Sequence, residues 1–170
     1  QMHDAIMALR EMMESPLLQE NFQQQGDTYR SLCVVYALQG TWNQFQQCCK
    51  AAAQAYEKAG CWTEASIAWH ELANRYADAL QLALALEATE NAVACALKAG
   101  KADLHIKALS NKGYFLAIQG NITEAQQITH EAIAMALSGN HVDGERNGRQ
   151  ATRQSRYRYW RGLQWNGNRQ

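Results

Sequence analysis

The chain has 170 residues, enough for one domain or a short repeat array with a sizeable core, and its formal net charge is zero. That total combines an acidic body with a basic tail. Residues 1–140 hold 9 Lys and Arg against 14 Asp and Glu, whereas residues 141–170 hold 7 Arg against 2 acidic residues. No apolar run approaches the roughly 18 residues that a membrane-spanning helix needs, so the sequence predicts no membrane span.

Composition favours an all-α fold. Proline occurs once, at Pro16, helix-forming Ala, Leu, Gln and Glu are abundant, and long alternating Val, Ile and Thr runs are absent. In chain order we expect an amphipathic helix over 2–14, then a segment that Ser15 and Pro16 open and that runs through Gln25. Apolar periodicity predicts six further helices over 27–39, 42–59, 62–78, 82–99, 102–119 and 122–138.

Glycines mark the expected helix ends at a half-period of about twenty residues. Gly40, Gly60, Gly100 and Gly120 each stand where a helix would stop, and glycine readily adopts the left-handed conformation of a helix C-terminus. The break expected near Leu80 lacks a glycine. We therefore predict a tighter or less regular turn between residues 78 and 82.

The same chemistry recurs every forty residues when units 26–65, 66–105 and 106–140 are aligned. Large, small and large residues share columns, followed by a column of alanines: Tyr29, Trp69 and Leu109; Cys33, Ala73 and Gly113; Tyr36, Tyr76 and Leu116; Ala52, Ala92 and Ala132. Such a period is typical of a solenoid in which each unit buries its apolar side on its neighbours. We expect these columns to be packing positions.

These columns resemble the tetratricopeptide repeat over residues 26–139, best in the last unit, where Leu109, Gly113, Leu116, Gly120 and Ala125 occupy the expected places. The resemblance implies a right-handed solenoid of antiparallel helix pairs with about three repeats. Units of forty residues are longer than the standard repeat, as in SNAP-type adaptors and the sensor domains of bacterial regulators. Residues 1–25 would then be the remnant of a preceding repeat, and the chain a piece of a longer protein.

The resemblance also implies that the first helix of each pair lines a concave, partner-binding face. Counting outward from the packing columns places a mixed polar set there: Asp27, Arg30, Ser31 and Val34; Ile67, His70, Glu71, Asn74 and Asp78; Lys107, Ser110, Asn111, Tyr114 and Ile118. The asparagines could bond the backbone of a peptide, and Arg30 or Lys107 could meet its carboxylates. The alternative is an ordinary solvated helix face.

Catalytic and metal patterns are absent from the sequence. His70 and Glu71 begin a His-Glu-x-x-His zinc pattern, but Asn74 stands where the second histidine would be. Neither a nucleophile elbow nor a phosphate-binding glycine loop occurs. We therefore expect a non-enzymatic protein without a metal or other cofactor.

Five cysteines without paired spacing argue against a disulfide framework. Reduced thiols that serve as small core residues are the simpler interpretation, and they predict a cytoplasmic location.

The tail, residues 141–170, is the stretch that the repeat does not explain. Arginines interleave with aromatic residues in it: Arg146, Arg149, Arg153, Arg156, Arg158, Trp160 and Arg161. Arginine attracts phosphate and aromatic rings stack on bases, so contact with nucleic acid is one interpretation. Docking on the acidic body, contact with a protein partner and a disordered end are the others.

Our leading hypothesis from the sequence is a protein-interaction scaffold or adaptor that binds a protein or peptide on its concave face. The alternative is a regulatory module, related to transcription or RNA, whose tail contacts nucleic acid. A module that senses a small ligand or controls a neighbouring domain is a third hypothesis.

Overall fold

A computed structural model describes residues 2–138, and this part of the chain consists of α-helices joined by short turns, without a strand. Its eight helices are α1 (Met2–Glu14), α2 (Pro16–Gln19), α3 (Phe22–Gln39), α4 (Trp42–Lys58), α5 (Trp62–Asp78), α6 (Leu82–Lys98), α7 (Ala102–Gln119) and α8 (Ile122–Ser138). The all-α prediction is confirmed.

Helix boundaries repeat with the forty-residue period. The A helices α3, α5 and α7 begin at Phe22, Trp62 and Ala102, and the B helices α4, α6 and α8 begin twenty residues after each of them. Each A helix packs on the B helix that follows it, and α4 and α6 also pack on the next A helix. The described chain is therefore a row of three helix pairs, as a helical repeat requires.

The start of the first pair differs from the prediction. The segment expected from Ser15 through Gln25 is interrupted, because α2 ends at Gln19 and Asn21 caps α3 by accepting a hydrogen bond from the Gln24 backbone N–H at 3.1 Å. The Gln25 side chain stabilises the turn between α2 and α3 by donating hydrogen bonds to the carbonyls of Leu18 and Gln19. Local capping ends one helix and starts the next five residues before the predicted start at 27.

Turns follow the glycine pattern. Gly40, Gly60, Gly100 and Gly120 all have positive φ, between 64° and 89°. Leu80 has a φ of 58° and is the non-glycine residue with positive φ in the described chain. The prediction of a tighter or less regular turn here is wrong, because Leu80 and Gln81 donate to the carbonyls of Ala77 and Tyr76 just as Gly60 and Cys61 donate to those of Glu57 and Tyr56. The turn keeps the glycine geometry and places a side chain in a conformation that favours glycine.

Burial confirms most packing columns. Tyr36, Trp69, Leu109 and Leu116 are buried, as is the small-residue column. Tyr29 and Tyr76 pack against the core, as expected of these columns, but they are only half-buried.

Candidate partner-binding face

The three A helices present one shared face. Arg30 of α3 pairs with Glu71 of α5 at 3.7 Å, and the Asn111 side chain of α7 donates to Asn74 of α5 at 3.2 Å. These contacts run from α3 to α5 and from α5 to α7. We call this surface the A-helix face and define it by Asp27, Arg30, Ser31, Val34, Leu38, Ile67, His70, Glu71, Asn74, Asp78, Lys107 and Tyr114.

Most predicted face residues are accessible. Exposed residues are Asp27, Arg30, Ser31, Val34, Asp78 and Lys107, and half-buried ones are Ile67, His70, Glu71, Asn74, Tyr114 and Ile118. Ser110 and Asn111 are buried, so their predicted place on an open groove is wrong. The reason is that α5 and α7 contact each other directly and close over this part of α7.

Asn111 forms a buried polar contact between the two helices. It is 0 % exposed, and its Nδ2 donates to Asn74 Oδ1 and lies 3.0 Å from His70 Nδ1. Its Oδ1 atom is buried without a hydrogen-bond partner among the described residues. Asn74 and Asn111 therefore bond to each other, which corrects the prediction that both would bind a peptide backbone. A buried amide that is only partly satisfied costs stability and is unusual in a packed interior.

Carboxylates on the A-helix face already have partners. Asp27 accepts a hydrogen bond from Tyr56 at 2.7 Å, and Asp78 pairs with Arg75 at 3.1 Å. Burial, and next the hydrogen bond with Asp27, raise the pKa of Tyr56 above its ordinary value, which keeps the phenol protonated as the donor.

Lys107 has no carboxylate within 4.0 Å among the described residues. The lysine borders a small depression between α5 and α7 of about 60 Å³, which is lined by Ser66, Ile67, His70, Glu71, Leu104, Lys107 and Ala108. A single short side chain of a partner would fill that volume. The depression therefore offers the Lys107 ammonium group beside a mixed lining, in which Ile67, Leu104 and Ala108 are apolar and Ser66, His70 and Glu71 are polar.

An apolar strip borders the charged part of the face. Val34 is 58 % exposed and Leu38, one helical turn further along α3, is 70 % exposed. Sequence reasoning missed Leu38, although its i+4 spacing from Val34 could have shown it. A contiguous exposed apolar patch rimmed by polar residues is a mark of an interaction surface, whereas single exposed apolar residues are common.

A second, larger cavity lies where α1, α3 and α4 meet. Its volume is about 510 Å³, and it is lined by Arg10, Met13, Glu14, Gln19, Tyr29, Leu32, Tyr36, Gln44, Gln47 and Cys48. Arg10 crosses from α1 to α3 by donating to the Tyr36 hydroxyl at 2.9 Å. Sequence reasoning missed this cavity, because it depends on where α1 ends relative to α4.

All five cysteines are free thiols. Cys33 and Cys49 are buried between α3 and α4 with their Sγ atoms 3.1 Å apart. Burial raises the pKa of Cys48 to about 11, with nearby Cys33 adding to the rise. In the same way burial, and next Glu57, raise the pKa of Cys95 to about 12. Thiols with raised pKa values in apolar surroundings are weak nucleophiles and weak metal ligands.

Within residues 2–138 no three His, Cys, Asp or Glu side chains come together in a way that could hold a metal ion. No helix in that range is long and apolar enough to cross a membrane. The predicted tail contacts, from Arg146 to Arg161, lie outside the described residues. Comparison of the chain with protein-family models and with curated proteins found no match.

Proposed function

We propose that this protein is a non-enzymatic interaction scaffold that binds a protein or peptide partner on the A-helix face. One observation carries the proposal. Val34 and Leu38, both largely exposed, share a surface with Lys107, whose ammonium group has no carboxylate within 4.0 Å among the described residues. Many peptide-binding grooves hold an apolar side chain of the peptide as an anchor and use neighbouring charged groups to fix the orientation of the peptide. In this proposal the A helices form the concave side of a tetratricopeptide-like solenoid.

The partner chemistry follows from which groups on the face are already engaged. The carboxylates of Asp27, Glu71 and Asp78 have partners within the protein. Lys107 and the adjoining depression would receive an acidic side chain, and Val34 with Leu38 would receive an apolar one. The expected partner segment therefore carries both an apolar and an acidic residue.

Affinity capture with matched variants tests this proposal. Val34→Asp and Lys107→Glu should each weaken the affinity of the full chain for its partner about tenfold, which corresponds to about 1.4 kcal/mol, and should lower the recovered amount accordingly. Lys50→Glu makes the same charge change as Lys107→Glu at an exposed site on α4 and should leave recovery unchanged. If Val34→Asp and Lys107→Glu leave partner recovery as high as Lys50→Glu does, the A-helix face is rejected as the binding surface.

A second candidate function comes from the sequence of residues 141–170. Seven arginines among aromatic residues suit contact with phosphates and bases, which would make the protein a regulatory module acting on DNA or RNA. A gel-shift titration should then show binding that weakens steeply with salt and is lost when Arg149, Arg153 and Arg156 are replaced by Gln. No retardation at low salt would reject this function.

A further inference from the structure

Helix α1 stops one turn short of the B helices with which it aligns. Pro16 has no backbone N–H, and the residue before it, Ser15, is extended, with ψ at 130°. Consequently α1 ends at Glu14, whereas α4 and α6 run on to Lys58 and Lys98, one helical turn further in the forty-residue register. The helix that packs in front of α3 is therefore shorter than the helices in front of α5 and α7.

Tyr29 shows the effect of the shorter helix. On α5 the aligned residue, Trp69, is buried in the core, and its indole donates a hydrogen bond to Glu57 in the last turn of α4. Tyr29 is only half-buried and lines the cavity between α1, α3 and α4. Its hydroxyl group has no hydrogen-bond partner among residues 2–138. The ring of Tyr29 is therefore part of a cavity wall, with a polar group available to an occupant.

Arg10 supplies a cation to the same cavity. Its hydrogen bond to the Tyr36 hydroxyl orients the guanidinium group, and no carboxylate lies within 4.0 Å of that group among the described residues. Glu14, one turn further along α1, lines the cavity without pairing with Arg10. Across the cavity on α4, burial raises the pKa of Cys48, and the charge of Arg10 opposes that rise. A guanidinium with free N–H groups is suited to bind a carboxylate through two hydrogen bonds.

The rest of the lining combines apolar surface with free amides. Leu32 is buried, and Met13 and Tyr29 are half-buried, so the cavity offers aliphatic, thioether and aromatic contacts. The side-chain amides of Gln44 and Gln47 make no hydrogen bonds within the described part of the chain. The volume of about 510 Å³ lies in the range of roughly 300–1,000 Å³ that is typical of sites for small organic molecules.

We propose that this cavity is a binding site for a small organic acid with an apolar body. Arg10 holds the carboxylate of the acid, and Met13, Tyr29 and Leu32 contact its aromatic or aliphatic part. The site is separate from the A-helix face, because none of the residues that line the cavity belongs to that face. A bound acid would contact α1, α3 and α4 at once and stabilise their arrangement.

An NMR titration of the full chain with a matched pair of probes tests this site. The acid 3-(2-naphthyl)propionate should bind saturably with a dissociation constant at or below about 1 mM, and the corresponding amide, which has no charge, about fivefold more weakly. Arg10→Gln should weaken binding of the acid about fivefold and abolish the preference for acid over amide. Glu14→Gln removes a negative charge from the cavity wall and should strengthen binding of the acid.

Lys50→Gln is the matched control, because it removes a positive charge at the exposed position of α4 that aligns with Arg10. It should leave the affinity for the acid unchanged, as should Lys107→Gln on the A-helix face. The bound acid should also slow iodoacetamide labelling of Cys48, which lines the cavity, and spare Cys61, which does not. No saturable binding of the acid, equal affinity for acid and amide, or acid affinity that Arg10→Gln leaves intact would overturn the proposal.

Discussion

Gly26 of α3 lies directly against the ring of Tyr56 of α4, so a Cβ atom at Gly26 would stand 2.6 Å from the ring carbons. The same two columns hold different pairs in the other repeats: Ser66 with Ala96, and Ile106 with Ala136. The sizes compensate, because the largest B-helix residue faces the glycine and the largest A-helix residue faces an alanine. Each helix pair therefore fills the same space between its two helices with a different combination of large and small side chains.

Exchanging sizes across that interface tests the compensation. Gly26→Ile should lower the free energy of unfolding by about 3 kcal/mol through overpacking, and Tyr56→Ala by about 3–5 kcal/mol through loss of a buried ring. The double variant recreates the pair found at Ile106 and Ala136. Its destabilisation should be smaller than the sum of the single effects by more than about 1 kcal/mol, as measured by urea unfolding. Simple additivity would mean that the two residues do not share a space.

Leu80 offers a gain in stability. Its φ of 58° is unfavourable for a residue with a Cβ, and its side chain is 72 % exposed, so little packing is lost on removal. Leu80→Gly should raise the free energy of unfolding by about 1 kcal/mol. Leu80→Ala keeps the Cβ and should leave stability within about 0.5 kcal/mol of the parent. Equal effects of the two substitutions would show that backbone conformation is not the cause.

The buried amide of Asn111 predicts an unequal response to two substitutions of similar size. Asn111→Leu removes the unpartnered Oδ1 and should stay within about 1 kcal/mol of the parent in unfolding free energy. Both variants lose the Nδ2 donor that half-buried Asn74 and His70 contact, but Asn111→Asp also buries a carboxylate, which should cost about 3 kcal/mol or more. Thermal unfolding of both variants would reveal the order, and a less stable leucine variant would contradict it.

Thiol reactivity should follow the raised pKa of Cys48. Near pH 8 its alkylation in the folded protein should be about 100-fold slower than in urea, because a pKa of about 11 instead of 9.0 leaves little thiolate. Since the pH is below that pKa, each pH step of about one unit upward should speed the reaction roughly tenfold. Iodoacetamide labelling followed by peptide mapping measures this, and a rate that is flat with pH would refute it.

Much of the fold could be predicted from the sequence, because glycine turns and packing columns are local signals that repeat. Gly40 and Gly120 end their helices, and Ala52, Ala92 and Ala132 are buried, as expected. The early start of α3 was missed, because it depends on the Asn21 cap rather than on apolar periodicity.

The candidate site was less predictable. Placing Asn111 on an open face assumed that neighbouring A helices stand apart, but the direct contact of α5 with α7 is a property of tertiary packing. The same holds for Gly26, whose role depends on which B-helix residue lies opposite it. Val34 and Lys107, by contrast, are exposed as predicted, because no helix within residues 2–138 closes over them.

Site-specific photo-crosslinking tests the central claim, partner binding on the A-helix face, most directly. A benzophenone amino acid would replace Val34 on that face or, as the control, Ala94 on the exposed side of α6. Irradiation of the full chain with its partner should give covalent adducts from position 34 and none from position 94. Adducts from position 94 alone, or equal adducts from both, would contradict the account.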